Sequence, residues 1–328
     1  MVNRELGEGT TFRHNRGRGP LKLGYFGLPL GAHLLLRDGH ELAPCVLSPL
    51  DAPGRRRIVS RIPNAIDALG AQKTELNQAI EHALALAQPE LIVSWFWTRL
   101  LPAAWLNAAR YGGIGVHPSL LPRHRGPNPY FWSIDSGDTE AGVTLHTLAP
   151  EYDTGAILLQ RAIPVGDRNS WRLARALDRP SLALLREGVG RFARSQPPTP
   201  TAQLDTAATW APEPTGRELA VDWSWSTERV LRRIRALSPV PGLAVEVRGL
   251  AFFVTQAEPA TDFVMALEPG EAAVVGEPAT LVIRTADGAI AIVRATLADG
   301  ENEDEAPQTL DRAALAGIVA TALHTSHH

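Results

Sequence analysis

The chain has 328 residues, a length that predicts about two domains, and its 45% apolar and 20% charged residues are typical of a folded globular protein. The net charge of −3 hides an asymmetry: from Asp205 onward there are nine arginines and 18 acidic residues, a net −9, against +6 for the rest. No run approaches the roughly 20 consecutive apolar residues of a membrane span, and residues 1–20 lack the apolar core of a secretory signal. We therefore expect a disordered leader, a cytoplasmic location and no membrane partner.

Strand-like apolar runs alternate with helix-like stretches in the first part of the chain. One helical pattern ends near Arg37, before a turn at Asp38-Gly39, and another covers Thr74 to Ala87. This alternation predicts a Rossmann-like α/β domain with a mostly parallel sheet covered on both faces. The strand-like runs are Lys22–Phe26, Ala43–Leu47, Leu91–Phe96, Gly113–Val116 and Gly142–Leu148.

The composition changes after residue 194. A Pro-rich stretch, Ser195 to Pro200, cannot continue a helix or a central strand and indicates an extended linker. An Arg-rich amphipathic helix, Glu228 to Leu237, and four short strand-like runs predict a small C-terminal β-barrel-like (OB-like) domain. We expect a leader over 1–20, a first domain over 21–195, a linker over 196–207, a second domain over 208–312 and a tail over 313–328. The strand-like runs are Leu243–Val247, Ala251–Thr255, Ala279–Ile283 and Ala289–Val293.

The most specific motif is His117-Pro-Ser-Leu-Leu-Pro-Arg-His-Arg-Gly126, followed by Gly142-Val-Thr-Leu-His146 and Asp153-Thr-Gly155. In these stretches the chain resembles the 10-formyltetrahydrofolate-dependent formyltransferase family, closest to its methionyl-tRNA formyltransferase-like members. The family pattern is Asn-x-His-x-Ser-Leu-Leu-Pro, then Arg-Gly, Gly-Val-Thr and Asp-Thr-Gly. Further similarity extends over roughly residues 21–310 and includes Ala208-Thr-Trp-Ala-Pro and Ile234 to Gly242. The resemblance implies formyl transfer with 10-formyltetrahydrofolate as co-substrate.

The chemistry explains the residue types in this motif. An acceptor amine must lose a proton, the folate nitrogen must gain one, and an oxyanion must be stabilised between these steps. Histidine suits the proton transfers because its pKa lies near the working pH, and a neighbouring carboxylate supports its charged form. The resemblance therefore implies that His117 handles the proton and contacts the oxyanion, and that Asp153 supports it.

The resemblance departs at Gly115, where the family keeps a catalytic Asn. Residues 115 and 117 face the same side of a strand, so the family can present an amide and an imidazole together. Removing one oxyanion donor typically costs about a hundredfold to a thousandfold in rate. Three interpretations stay open: Asn128 or a backbone N–H replaces the donor, the reaction is slow or different, or the protein binds without catalysing.

The family's folate pocket implies a set of co-substrate contacts in this chain. Trp95, Phe96 and Trp97 fit either core packing or a wall for flat folate rings. We interpret His146 as a packing residue and His124 as a surface residue. The implied co-substrate residues are Phe96, Trp97, Thr98, Leu100, Ser119, Leu120, Leu121, Pro122, Glu151 and Tyr152.

The acceptor is expected to carry a phosphate, because the family places an arginine-rich loop near it. Such a run of charge is more often a solvated face, and the acidic second domain does not favour tRNA. The expected acceptor is an amino-sugar nucleotide or another small amine, and the alternatives are initiator methionyl-tRNA, a non-catalytic folate-binding role and formate-releasing hydrolysis. No residue spacing indicates a metal. The implied acceptor residues are Arg55, Arg56, Arg57, Arg125 and Asn128.

Overall fold

The computed structural model describes residues 19–52, 55–62, 64–297 and 308–325, with side chains to residue 321. Most of the expected leader and the acidic segment Asp299 to Glu305 lie outside the described residues. Within them, no helix is long and apolar enough to cross a bilayer.

A seven-stranded sheet forms the first domain, in the order β3-β2-β1-β4-β5-β6-β7. The first five strands pair in parallel, and β6 and β7 pair antiparallel at one edge. The prediction of a mostly parallel sheet is confirmed. The strands are β1 Lys22–Gly27, β2 Glu41–Leu47, β3 Ile66–Asp67, β4 Leu91–Trp95, β5 Gly113–His117, β6 Glu140–Thr147 and β7 Ile157–Pro164.

Helices cover this sheet and bury their apolar stripes against it. The 24-residue helix α6 turns Leu177, Leu184 and Val189 inward, each at most 1% exposed. The central strands are apolar on both faces, as expected for parallel strands buried between layers. The helices of this domain are α1 Pro29–Arg37, α2 Arg55–Val59, α3 Lys73–Ala87, α4 Ala103–Asn107, α5 Pro129–Asp135 and α6 Ser170–Ala193.

The second domain is an antiparallel sheet in the order β10-β11-β12-β9-β8, with β13 also paired to β12. It curves as a half-barrel rather than a closed barrel, and the β-rich prediction is confirmed. The strands are β8 Leu243–Val247, β9 Leu250–Pro259, β10 Ala272–Val275, β11 Thr280–Arg284, β12 Ala289–Leu297 and β13 Thr309–Asp311.

Two helices pack on the second sheet, α7 Thr227–Leu237 and α8 Arg312–Thr325. Helix α8 covers the stretch expected to be a tail, and it buries Leu315, Ala316 and Val319 to 2% exposure or less. Alanine-rich sequence with few charges supports a helix there.

A buried ion-pair network joins the two domains. Asp135, the last residue of α5, accepts hydrogen bonds of 2.6–3.1 Å from Arg229 and Arg233 of α7. Arg233 also donates to the carbonyl oxygens of Arg217, Glu218 and Ala220. Burial alone would raise the pKa of Asp135, but the hydrogen bonds from the two guanidinium groups outweigh it and lower the pKa.

The segment that connects the two domains, residues 194–226 between α6 and α7, packs against the first domain. Thr201 pairs with Ile157, and Ala211 exchanges backbone hydrogen bonds with Arg125 and Asn128. These contacts bring Trp210, Pro212 and Glu213 to the carboxyl ends of the parallel strands, where the candidate site lies.

Candidate active site

A cavity of about 670 Å³ opens beyond the carboxyl ends of β4 and β5. Parallel α/β sheets characteristically bind ligands at this edge, because the loops that follow each strand converge there. Its walls come from the loop after β4, the end of β5, the loop after β6 and the connecting segment. The lining includes Phe96, Trp97, Thr98, Arg99, Leu100, Gly115, His117, His146, Leu148, Glu151, Tyr152, Asp153, Trp210 and Glu213.

His117 ends β5, and its imidazole is 7% exposed. Its Nε2 lies 2.8 Å from the carbonyl oxygen of His124. A carbonyl oxygen can only accept, so Nε2 carries the proton and, in the neutral ring, Nδ1 holds a free lone pair. That Nδ1 lies 3.4 Å from Oδ2 of Asp153. The geometry therefore places an imidazole nitrogen beside a carboxylate in the cavity wall.

Asp153 is held in the left-handed backbone region at φ 57°. The backbone N–H of Gly126 donates to Oδ2 of Asp153 over 2.9 Å. Gln203, from the connecting segment, donates to the carbonyl oxygens of Asp153 and Gly155, each over 2.7 Å. A Cβ at Gly155 would lie 1.7 Å from the carbonyl oxygen of Thr147, so only glycine fits the close approach of this loop to β6.

His124 provides the carbonyl oxygen that contacts His117. It is buried, so its interpretation as a surface residue is wrong. Its Nε2 lies 2.6 Å from Oδ2 of Asp138, and its backbone N–H donates to Thr209. Burial would raise the pKa of Asp138, but hydrogen bonds from His124 and Arg123 outweigh it and lower the pKa. The contacts of His124 with Asp138 and Thr209 hold the residue whose backbone carbonyl oxygen contacts His117.

Gly115 leaves a space that an apolar side chain fills. A Cβ built at Gly115 would lie 2.9 Å from Cδ2 of Leu148, and one at Gly113 would lie 2.9 Å from Cδ1 of the same residue. Leu148 thus lies across the glycines of β5. Asn128, considered above as a replacement donor, caps α5 by accepting from Phe131 and donates its amide to Glu213.

Two donors in the cavity wall lack partners among the described residues. Nε1 of Trp97 and one guanidinium nitrogen of Arg99 are buried there without a hydrogen bond. Phe26 packs edge-on against Trp97 and stacks with Trp105, which fixes the wall from outside. Such uncompensated donors are costly unless a ligand accepts from them.

The predicted residues divide into those at the cavity and those around it. Gly115, His117 and Asp153 line the cavity together with Phe96, Trp97, Thr98, Leu100, Glu151 and Tyr152. The turn of Ser119, Leu120, Leu121 and Pro122 is not in the lining. This turn is held by hydrogen bonds within the domain: Ser119 donates to the carbonyl oxygen of Arg123, and Gln160 donates to that of Leu121.

The predicted acceptor residues do not line the cavity. Arg55 is buried, donates to the carbonyl oxygens of Ser48 and Leu50, and pairs with Asp67. Arg125 binds Gln203 and Asp205 of the connecting segment, each over 3.0 Å. Arg56 and Arg57 are exposed on α2.

Two family models match this chain. The formyl transferase model matches residues 54–176, and the formyl transferase C-terminal domain model matches residues 215–306. Methionyl-tRNA formyltransferase of Acidiphilium cryptum is 33% identical over 256 residues, which are 73% of this chain and 82% of that protein.

The chain belongs to the formyltransferase family.

Family members are enzymes that transfer formyl groups. The resemblance that the motifs predicted, including the likeness to methionyl-tRNA formyltransferase, is confirmed.

Solved structures show the same fold. The N-formyltransferase of Helicobacter canadensis, in complex with folinic acid and dTDP-3-aminofucose, superposes with a TM-score of 0.63 at 15% identity, over 83% of this chain and 98% of that one. HypX of Aquifex aeolicus, in complex with tetrahydrofolic acid, superposes with a TM-score of 0.61 at 23% identity. That match covers 91% of this chain but 47% of HypX, so the chain spans about half its length. These identities establish the fold alone.

Sequence reasoning missed several residues at this cavity. Arg99 sits within the predicted wall but was not selected, because its unpaired nitrogen is a tertiary feature. Gln203 lies in the predicted linker, and Trp210 and Glu213 lie at the start of the predicted second domain. The sequence around them does not indicate that these residues contact the cavity of the first domain. His146 was interpreted as a packing residue; it is buried, but it also lines the cavity.

Proposed function

We propose that this chain transfers a formyl group from 10-formyltetrahydrofolate to a primary amine of a small, phosphate-bearing acceptor. The observation that carries the proposal is the position of Nδ1 of His117, 3.4 Å from Oδ2 of Asp153, in a cavity with an aromatic wall. A base with this support can take the proton that an attacking amine must lose.

The transfer requires two proton transfers, one from the amine to His117 and one from His117 to the folate nitrogen. The amine nitrogen bonds to the formyl carbon as its proton passes to Nδ1 of His117. The imidazolium formed carries an Nδ1–H beside the developing oxyanion, and Asp153 stabilises its charge. The bond from the formyl carbon to the folate nitrogen then breaks, and that nitrogen receives the proton. His117 thus returns to its neutral form.

The wall of the cavity supports the folate assignment. Flat apolar side chains suit the pterin and benzoyl rings, and pockets of this kind place a few polar groups among apolar ones. The unpaired nitrogens of Trp97 and Arg99 would donate to a carbonyl or carboxylate oxygen of the co-substrate.

The acceptor assignment rests on charge and on how the arginines are used. All four arginines of α7 are engaged at the junction of the domains or within their own helix, rather than forming an open basic face. A tRNA-binding domain should show such a face, because phosphate contacts dominate nucleic-acid affinity. Methionyl-tRNA is the second candidate acceptor, favoured by the 33% identity to the A. cryptum enzyme.

The test measures binding and turnover separately. Binding of a stable 10-formyltetrahydrofolate analogue is followed by calorimetry. Donor consumption is then followed with amino-sugar nucleotides, phosphorylated small amines and methionyl-tRNA. We expect the analogue to bind and a small amine to be formylated. Replacing His117 with Gln should lower turnover by about a hundredfold to ten-thousandfold while analogue binding persists.

Two variants control the result. His82→Gln changes an exposed histidine of α3 and should leave turnover unchanged. Gly115→Asn restores the family amide but collides with Leu148, so it is also made with Leu148→Ala. If wild type binds the analogue without turnover and the double variant alone formylates an amine, the chain is a folate-binding protein that has lost catalysis. Failure of every form to bind the analogue would refute the folate assignment.

A further inference from the structure

His146 lies opposite the glycine that departs from the family motif. In the antiparallel pairing of β5 with β6, Gly115 faces His146 and His117 faces Thr144. Directly opposed residues point to the same side of a sheet, and residues 115 and 117 share a side too. The two imidazoles are therefore diagonal neighbours on the face that lines the cavity, with no side chain at Gly115 between them.

The orientation of His146 is fixed by the backbone of the next residue, Thr147. Its Nδ1 lies 2.9 Å from the carbonyl oxygen of Thr147, which can only accept, so Nδ1 carries the proton. Burial lowers the pKa of His146 to about 4, although Asp153 opposes the shift. The ring is neutral at pH 7, and its Nε2 presents a lone pair toward the cavity.

Three acceptor groups consequently converge, and the donor among them is the backbone N–H of Gly126, which bonds to Oδ2 of Asp153. Nε2 of His146 lies 3.8 Å from Oδ1 of Asp153, beyond hydrogen-bond distance, and both atoms are acceptors. On the other side, Nδ1 of His117 faces Oδ2 of the same carboxylate at 3.4 Å. An incoming group with two or three N–H bonds would satisfy the acceptor positions that remain, on Nε2 of His146, Oδ1 of Asp153 and Nδ1 of the neutral His117 ring.

We propose that His146 accepts a hydrogen bond from the acceptor amine and, with His117 and Asp153, turns the amine lone pair toward the formyl carbon. This assignment rests on the proposed formyl transfer. A primary amine keeps two N–H bonds when its lone pair is free, one for His117 and one for His146. An N-methylated amine has only one, so the site discriminates in favour of primary amines. A neutral His146 whose Nδ1–H is engaged offers no donor, so it does not replace the family amide.

The experiment couples a change in the protein to a change in the ligand. His146→Leu removes the acceptor at similar volume, whereas in His146→Gln the side-chain oxygen lies near the position of Nε2. Each form is assayed with the best acceptor of the panel and with its N-methylated counterpart, and analogue binding is measured in parallel. For the primary amine, His146→Leu should raise KM about tenfold to thirtyfold, and His146→Gln should recover most of the loss.

The preference for the primary amine over its N-methylated form distinguishes contact from mere packing. It should be large in wild type and in His146→Gln and should vanish in His146→Leu, with analogue affinity unchanged throughout. A preference that persists in His146→Leu, or equal losses in the Leu and Gln variants, would overturn the assignment.

A second readout separates this inference from the proposed function. If wild type binds the analogue but formylates no amine, methylammonium and tetramethylammonium become the probes, and the ¹⁵N resonance of His146 Nε2 is followed. A saturable shift with methylammonium, absent with tetramethylammonium, supports the contact although transfer has failed. No response to methylammonium overturns it.

Discussion

Two arginine clusters of this chain have similar sequences and different uses. The first cluster is Arg55, Arg56, Arg57 and Arg61 around α2, and the second is Arg229, Arg232, Arg233 and Arg235 on α7. Either could have been a phosphate-binding surface. In the first, one arginine is buried and three are exposed; in the second, the arginines mainly join the domains.

The difference lies in what surrounds each guanidinium group. Arg233 lies 5.6 Å from the ring centre of Phe131 and 5.0 Å from that of Trp225, and it bonds to a buried carboxylate and three carbonyl oxygens. Arg56 and Arg57 remain open to solvent. Arginine-rich sequence therefore indicates a binding surface only where neighbouring elements leave the charges unpaired.

The largest effect should come from removing the carboxylate of the second cluster. Asp135→Ala leaves Arg233 and Arg229 without their anion, and Asp135 and Arg233 are each 5% exposed. Breaking a buried pair from one side typically costs about 3–5 kcal/mol. We expect that loss in the free energy of unfolding, measured by urea denaturation. Asp38→Ala, which removes an exposed partner of Arg186, should cost less than about 1 kcal/mol. Similar losses in both would contradict the burial argument.

Arg55 should behave as part of the fold, unlike its neighbours in the first cluster. Arg55→Ala removes two hydrogen bonds to carbonyl oxygens and the ion pair with Asp67. We expect a loss of about 2–4 kcal/mol in the free energy of unfolding. Arg56→Ala is the matched control and should change it by less than about 0.5 kcal/mol. Equal destabilisation by the two would show that the buried position has no special role.

The ion-pair network should also make stability depend on pH. The folded-state pKa of Asp135 is lowered, so its contribution is present above the unfolded value near 3.9 and is lost as pH falls through the folded pKa. The stability difference between wild type and Asp135→Asn should therefore shrink as the pH falls below 4. Urea titrations at pH 7, 4 and 3 measure it. A difference that stays constant would mean that Asp135 titrates alike in both states.

The exposed members of the first cluster should affect the acceptor and not the fold. If Arg56 and Arg57 hold a phosphate, Arg56→Ala with Arg57→Ala should raise KM for a phosphate-bearing amine about tenfold to a hundredfold. Unfolding should be unchanged within about 0.5 kcal/mol. Arg61→Ala, also exposed, is the control. An unchanged KM would show that α2 does not bind the acceptor.

Local signals predicted the layout of the fold well. Strand alternation and apolar runs located five strands of the first sheet, and periodicity located α3 and α7. The edge strand β7 was not predicted, because Leu159 to Ile163 mixes polar and apolar residues without clean alternation. Residues 313–328 were predicted to be a tail. Their sequence does not indicate that a helix packs against the second sheet there.

The sequence predicted only those residues of the candidate site that belong to the family motifs. His117 and Asp153 lie together as expected, since both belong to ordered family motifs. The space beside Gly115 could not be judged from sequence, because Leu148 reaches it across strands. The role of Gln203 depends on a contact across 50 residues, which no spacing encodes.

The contact between Gln203 and the Asp153 loop affects how this chain can be recombined with its relatives. A chimera joined at residue 195, where the composition changes, would separate the Asp153 loop from the Gln203 amide that bonds to it. The cavity would then take part of its wall from the other protein. Keeping residues 196–213 with the first domain preserves Gln203, Trp210 and Glu213 beside the groups that they contact here. The crossover that keeps the candidate site intact therefore lies after Glu213, because this site includes residues beyond the first sheet.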